Sequence, residues 1–206
     1  TSAPPPSSFE QAFQNAFSNG AESIICITVS SKISATYNAA LSAAESFPDR
    51  DIAVIDSLTL CAGQGIMVLE AAKKARDGGN KEEILALIDS IRERLHVFAV
   101  LPTLKYLAMG GRVGKLAAGF ADAFNVKPIL TAKDGKLELL EKVRTQKKAE
   151  TRLLELMKEA IKDKKIEQIA MIHVNNLPGA EDLYSKMKNM FECPEKVIYA
   201  DFTPGL

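Results

Sequence analysis

The stretch ITVSSKISATY, residues 27–37, places a cluster of hydroxyl side chains directly after an apolar segment. Ser30, Ser31 and Ser34 fall where the hydrophobic pattern predicts that a buried strand passes into a helix. Hydroxyls in such a position either cap the free N–H groups of the first helical turn or donate hydrogen bonds to an anion bound there. The residue types leave both interpretations open, although three hydroxyls in one turn favour an anion more than a single serine would.

A second polar pair, Asp56 and Ser57, follows the next predicted strand, DIAVIDS. In a parallel sheet this pair lies at the same edge as the serine cluster, where such folds bind ligands. An aspartate there could hold Mg²⁺ or a sugar hydroxyl, but it more often caps a helix or orders a turn. The region offers no evident base for a serine nucleophile and no GxSxG motif. A hydrolase or transferase that uses Asp56 and the serines is therefore kept as one alternative, and a non-catalytic interaction module as another.

Other residues that bind metals or nucleotides occur without the necessary partners. His96 and His173 belong to different predicted strands, with no acidic residue at ligand spacing, so we expect structural histidines. The three cysteines are an odd set without CxxC spacing, which argues against disulfides and zinc. The glycines of GQG, residues 63–65, lack the third glycine and the preceding strand of a dinucleotide motif. We expect no metal site and no cofactor.

Two arginines follow predicted rigid elements. Arg112 comes after the glycine pair Gly110–Gly111, which should stop a short helix, and Arg144 ends a predicted hairpin strand. Each guanidinium is either a solvated surface charge or a fork that binds an oxyanion.

The first half of the chain alternates strands and helices. Ser8 is predicted to cap a helix with Phe9, Phe13 and Phe17 on one face, whereas the TSAPPPSS segment before it should not be helical. Three apolar strands then alternate with three helices. The strands are SIICITVS, DIAVIDS and HVFAVL, and the helices cover about 31–46, about 60–76 and KEEILALIDSIRERL. This alternation predicts a Rossmann-like parallel α/β domain over residues 1–102.

The pattern changes after Pro102. VKPILTAKDGKLELLEKVR predicts two strands around an Asp134–Gly135 turn, which introduces antiparallel pairing. The remaining predicted elements are the apolar helix KLAAGFADAF, a helix over about 145–163, the strand IEQIAMIHV, a helix over 180–191 and the strand KVIYAD. We therefore expect an α+β second domain with a mixed sheet over residues 103–206. Both ends of the chain fall in loops, so we also expect it to be a piece of a larger fold.

The composition limits the classes of partner and the location that we expect for the protein. The chain of 206 residues is 47% hydrophobic, and its 26 basic residues balance its 26 acidic ones. A neutral chain with interspersed charges does not favour nucleic acid as a partner. No apolar run reaches the roughly 20 residues that a bilayer span needs, and no signal peptide is evident. Together with the cysteine usage, this makes the cytoplasm the expected location.

The chain contains, in this order, the motifs TSAP, SSKISATY, VIDS, LKYLAMGGRVGK, NVKPIL, DGKLELLEKVRTQKKA and DFTP, which together extend over nearly the whole chain. In order and spacing they resemble the motifs of the DegV family of bacterial fatty-acid-binding proteins. The resemblance implies two domains with one long-chain fatty acid in a tunnel between them. By the same resemblance, Thr1 and Ser34 hold the carboxylate, with Ser2, Ser30 and Ser31 as neighbours.

The resemblance also implies a partner. Proteins of this family act as acyl carriers for a fatty acid kinase, which phosphorylates the bound carboxylate, and they are not themselves catalytic. Arg112 and Arg144 match arginines on the face assigned to kinase docking.

The sequence departs from the family pattern at several positions. Ala3 replaces the glutamine of TSQP, and Lys32 and Ala35 replace the glycines of SSGLSGTY. The family's first strand and its terminal HTGPG-like segment, whose histidine also contacts the carboxylate, do not occur in the chain. Either the chain is a piece of the protein or part of the site has been lost.

Overall fold

The computed structural model describes residues 3–111, 126–162 and 164–202. The chain forms two compact units, one comprising residues up to Leu95 together with Lys133–Lys136, the other comprising His96–Ala132 and the residues from Leu137 onward. The division into folding domains after Pro102 stays a prediction.

Among its described residues, the first unit contains a parallel pair of strands and four helices. In chain order these are α1 (Pro6–Ser18), β1 (Ser23–Thr28), α2 (Thr36–Ala44), β2 (Asp51–Asp56), α3 (Ala62–Arg76) and α4 (Lys81–Arg94). β1 and β2 run parallel, in a register that pairs Ser23 with Asp51 and Thr28 with Asp56. The two strands therefore end at the same edge of the sheet.

Both faces of this sheet are covered by helices. Ile24 and Cys26 pack against a cluster that contains Phe13 and Phe17 of α1 and Ala43 of α2. Alternate residues of β1, Ile25 and Ile27, pack against a second cluster, formed by Met67, Ala71, Ile84, Ile88 and Ile91 of α3 and α4. Because successive side chains of a strand point to opposite faces, a continuous apolar run is what a sheet buried on both sides requires.

The first helix starts earlier than predicted. α1 begins at Pro6, with Pro5 at its N-cap and no side-chain cap, so the expectation that TSAPPPSS is non-helical was wrong for its last residues. Proline fits the first turn of a helix because the N–H that it lacks has no intrahelical partner there. The predicted phenylalanine face is confirmed, since Phe13 and Phe17 are buried.

The second unit contains two sheets among its described residues. Its elements are β3 (Phe98–Val100), α5 (Lys105–Met109), β4 (Lys127–Lys133), β5 (Lys136–Val143), α6 (Gln146–Ile161), β6 (Ile169–His173), α7 (Leu177–Lys188) and β7 (Val197–Asp201). β3, β4 and β5 form one sheet in that order, and β6 and β7 form a separate parallel pair. The predicted helix KLAAGFADAF lies outside the described residues.

The third strand belongs to a different sheet from the one predicted. β3 pairs antiparallel with β4, with Phe98 opposite Thr131 and Val100 opposite Ile129, and so it does not extend the parallel pair. The Thr131 hydroxyl adds a hydrogen bond to the Val97 carbonyl oxygen at 2.7 Å. A short apolar run indicates burial, but it carries no information on the direction of its partner.

The core of the second unit lies between α6, α7 and the parallel pair. Its buried members are Leu154, Ile169, Met171, Ala180, Tyr184 and Met187. α7 begins at Leu177, before the predicted Ala180, because the Asn176 side chain caps it by accepting a hydrogen bond from the Gly179 N–H. No helix within the described ranges is long and apolar enough to cross a membrane.

Candidate functional site

The serine cluster lies in a loop that precedes α2, and not in the first turn of the helix as predicted. α2 begins at Thr36, and its N-cap, Ala35, makes no side-chain cap hydrogen bond. The loop closes on Ser30, whose carbonyl oxygen accepts hydrogen bonds from the Ile33 and Ser34 N–H groups at 3.1 and 3.0 Å. The bond to Ser34 spans four residues, as in the first turn of a helix, but α2 itself begins only at Thr36.

Ser34 stands at the entry to α2. Its Oγ lies 2.8 Å from the Thr36 Oγ1 and accepts a longer hydrogen bond of 3.3 Å from the Thr36 N–H. Its side chain is buried, with 7% of the residue exposed. The two hydroxyls therefore stand together beside a helix N-terminus, whose partial positive charge favours an anion.

Asp56 orders the loops that follow β1 and β2. Its Oδ1 accepts hydrogen bonds from the Ser31 N–H at 3.1 Å and from the Leu58 N–H at 3.0 Å. Its carbonyl oxygen accepts a further hydrogen bond from Arg92. Such an arrangement is typical of an aspartate that fixes a turn, and one of its carboxylate oxygens is already used by two backbone donors.

Buried hydroxyls continue the network after β2. The Ser30 N–H donates to the Thr59 carbonyl oxygen at 2.9 Å, which joins this loop to the one before α2. The Ser57 hydroxyl donates to the same oxygen at 3.3 Å. The Thr59 Oγ1 is buried and has no hydrogen-bond partner among the described residues. This loop also holds Leu58 and Cys61 at positive φ, a conformation that is uncommon for residues other than glycine.

The glycines of GQG have a packing role. Gly63 lies in α3, and a Cβ there would fall 2.6 Å from the Thr59 Oγ1 and 2.9 Å from the Leu95 Cδ2. Glycine is therefore needed for the close approach of α3 to the loop after β2 and to the end of α4.

The predicted site residues are only partly described. Ser30, Ser31 and Ser34 lie in the loop before α2, and not at its N-cap and first turn as predicted, whereas Thr1, Ser2 and Arg112 lie outside the described residues. Arg144 is exposed between β5 and α6, one residue before the N-cap Thr145. Lys32, one of the departures from the family motif, is exposed in the serine loop.

One histidine has an acidic partner that the sequence did not predict. The Nδ1 of His173 lies 3.0 Å from the Oδ1 of Asp201, and the two residues are direct partners in the parallel register of β6 and β7. They line a shallow cavity of about 410 Å³ with Asn175, Leu177, Pro178, Tyr199 and Ala200. The sequence carries no local signal for this pair, because an apolar strand pattern does not say which strand lies beside it.

The fold and the loop network define a class of protein. It is a two-unit α/β protein whose first unit carries a polar loop at the carboxyl edge of parallel strands, the position at which such sheets bind ligands. Residues 1–205 match the model of the DegV family, which is described as a family of uncharacterised proteins. The chain belongs to the DegV family, as its motifs indicated.

Curated relatives support this assignment over most of the chain. A DegV domain-containing protein of Listeria innocua is 36% identical over 203 residues, which cover 98% of this chain and 71% of the relative. One from Clostridium perfringens is 35% identical over 192 residues, which cover 91% of this chain and 68% of the relative.

Solved DegV structures share the fold. A protein from Streptococcus agalactiae, described as a fatty acid binding DegV family protein, matches with a TM-score of 0.87 and 28% identity over 98% of this chain and 71% of its own. A protein from Thermus thermophilus, described by its fatty acid binding, matches with a TM-score of 0.85 and 28% identity over 97% of this chain and 71% of its own. A third protein, from Eubacterium eligens, was loaded with heptadecanoic acid. It matches with a TM-score of 0.81 and 26% identity over 97% of this chain and 71% of its own. The predicted fold class, with parallel and antiparallel sheets in two parts, is confirmed.

Proposed function

We propose that this chain binds one long-chain fatty acid and presents its carboxylate to a partner fatty acid kinase. The observation that carries the proposal is the match, over nearly the whole chain, to the Streptococcus and Thermus proteins, both described as fatty acid binding. The Eubacterium protein loaded with heptadecanoic acid adds a ligand of the same class.

The local geometry suits a carboxylate at the entry to α2. The Ser34 and Thr36 hydroxyls lie together there, and the N-cap residue Ala35 makes no side-chain hydrogen bond to the first turn. A carboxylate at this position would accept a hydrogen bond from the Ser34 hydroxyl and interact favourably with the helix N-terminus. Thr1 and Ser2 stay in the proposal as further donors.

The acyl chain would supply most of the affinity. Burial of each methylene is worth about 0.8 kcal/mol, so a long chain outweighs a few hydrogen bonds at the headgroup. The hydroxyls then act mainly to orient the carboxylate. The tunnel expected for the acyl chain stays a prediction.

The proposal gives this chain the role of a carrier and not of an enzyme. A hydrolase or transferase based on Asp56 would need that carboxylate for a metal or a substrate, but its Oδ1 already accepts two backbone hydrogen bonds. Arg112 and Arg144 are proposed to dock the kinase, which would supply the phosphoryl group.

Reconstitution tests binding and presentation separately. The lipid-free protein is titrated with hexadecanoic acid, and the loaded protein is then mixed with a fatty acid kinase and ATP. We expect saturation at one fatty acid per chain and formation of the acyl phosphate. Saturable binding without acyl phosphate would remove the partner from the proposal, and the absence of binding would remove the whole proposal.

A further inference from the structure

The Ser30 hydroxyl is fully buried and fully used. Its Oγ donates a hydrogen bond to the Gly135 carbonyl oxygen at 2.7 Å and accepts one from the Lys32 N–H at 3.1 Å. The residue has no exposed surface. A serine hydroxyl has a single proton, so Ser30 cannot donate to a carboxylate while it holds Gly135.

The partner of Ser30 is the turn between β4 and β5. Gly135 has φ +78°, and a Cβ there would fall 2.5 Å from the Ser30 Oγ and 3.1 Å from side-chain atoms of Leu58 and Lys32. Asp134 beside it also has positive φ, as expected for a two-residue hairpin turn. The turn Lys133–Lys136 therefore packs closely on the loops that follow β1 and β2, with which it shares a compact unit.

The backbone of Ser30 connects this contact to Ser34. The Ser30 carbonyl oxygen accepts the Ser34 N–H, and the Ser30 N–H donates to Thr59. Because the Ser34 N–H is bonded to Ser30, a shift of the Ser30 backbone would also move Ser34 and its hydroxyl.

We infer that Ser30 is a positioning residue, and that its hydrogen bond to Gly135 makes the β4–β5 turn part of headgroup recognition without any contact to the ligand. The inference rests on the proposed fatty-acid binding. It assigns the carboxylate contact to Ser34 and removes Ser30 from the direct ligands expected from the sequence.

The test compares two ligands of equal chain length, hexadecanoic acid and hexadecanol. Equilibrium titration of the lipid-free protein gives the affinity for each ligand. Because both ligands have the same acyl chain, its contribution cancels in the ratio of the two affinities, and the ratio reports on the headgroup alone. Ser30→Ala should lower the affinity for the acid by about tenfold, as expected for a weakened hydrogen bond to a charged group, and should change that for the alcohol by less than about twofold. An equal loss for both ligands would show a merely structural role and overturn the inference.

A double-mutant cycle separates positioning from direct contact. If Ser30 acts through Ser34, adding Ser30→Ala to Ser34→Ala should cost no further affinity for the acid. If Ser30 contacts the carboxylate itself, its full effect should persist in the Ser34→Ala background, which would overturn the inference. This cycle needs no change in the hairpin turn, so it stays decisive if a turn variant does not fold.

A substitution in the β4–β5 turn provides an independent test of the inference. Gly135→Ala places a methyl group against the Ser30 Oγ and should lower the acid-to-alcohol ratio as Ser30→Ala does. Gly78→Ala is the matched control, since Gly78 also has positive φ, +86°, but a Cβ there meets no atom within 4 Å. A folded Gly135→Ala protein with the wild-type ratio would contradict the inference. A wild-type protein that fails to bind the acid would contradict the proposed function instead.

Discussion

The Oγ of Ser34 lies 2.8 Å from the Oγ1 of Thr36, and both hydroxyls stand at the N-terminal entry to α2. Either oxygen can donate in this pair, so the Ser34 proton is available to an incoming carboxylate once Thr36 supplies the hydrogen bond between them. A carboxylate bound as we propose would therefore leave neither hydroxyl of this pair unsatisfied.

Ser34→Ala should weaken fatty-acid binding without unfolding the protein. A hydrogen bond to a charged group contributes about 1.5–3 kcal/mol, so the dissociation constant for hexadecanoic acid should rise by about tenfold to hundredfold. Equilibrium titration measures the change, and Ser18→Ala, at the exposed end of α1, is the matched control. An unchanged affinity would remove Ser34 from the site.

Arg144→Glu should leave fatty-acid binding nearly intact and abolish acyl-phosphate formation with the kinase. An exposed guanidinium between β5 and α6 suits charge-assisted pairing with a partner. The coupling of the wild-type protein to the kinase should weaken as salt rises, because electrostatic steering is screened. Arg76→Glu, at the exposed end of α3, is the control for charge reversal. Equal turnover by wild type and Arg144→Glu would show that Arg144 is only a solvated charge.

Thr59→Val should stabilise the protein. Because the buried Thr59 Oγ1 has no partner among the described residues, replacing its hydroxyl by a methyl group should raise the free energy of unfolding by about 1 kcal/mol. Thr28→Val is the matched comparison, since the buried Thr28 Oγ1 donates to the Ile55 carbonyl oxygen at 3.3 Å. Denaturant unfolding should show a higher free energy of unfolding for Thr59→Val and a lower one for Thr28→Val. Destabilisation by both substitutions would contradict this account of Thr59.

The Glu141–Arg152 ion pair should make stability depend on pH. The Nη2 of Arg152, in α6, lies 2.7 Å from the Oε1 of Glu141, in β5. The hydrogen bond from Arg152 holds the pKa of the Glu141 carboxyl below its usual value. A carboxyl whose pKa is lower in the folded state contributes stability above its unfolded pKa and loses it as the pH falls through the folded pKa. The difference in unfolding free energy between wild type and Glu141→Gln should therefore shrink on acidification below about pH 4.

Glu138→Gln, at an exposed position of the same strand, is the control for the pH series. If the difference between wild type and Glu141→Gln stays constant from neutral to acidic pH, the ion pair does not contribute to folding.

Hydrophobic patterns made the order of helices and the strand pair of the first unit predictable. The continuous apolar run SIICITVS indicated a strand buried on both faces, and residues of β1 pack against a cluster on each face. The Asp134–Gly135 turn was equally clear, because a two-residue hairpin of this type needs positive φ at both positions. Local signals of this kind need no knowledge of the rest of the chain.

The missed features depend on contacts between distant parts of the chain. The loop before α2 contains Ser30, whose hydroxyl is bonded to Gly135, a residue far away in the sequence. The antiparallel pairing of β3 and the contact between His173 and Asp201 likewise arise from strand register. Hydroxyl spacing drew attention to the serines after β1, but it could not assign each hydroxyl to a ligand, a cap or a structural contact.

Mass spectrometry of the ligand carried by the natively purified protein tests the central claim most directly. The protein is purified without detergent or added lipid, denatured in organic solvent, and the extract is quantified against the protein. The account predicts a long-chain fatty acid at a ratio approaching one per chain. A stoichiometric nucleotide or metal, or a protein that is empty and cannot be loaded with any fatty acid, would contradict it.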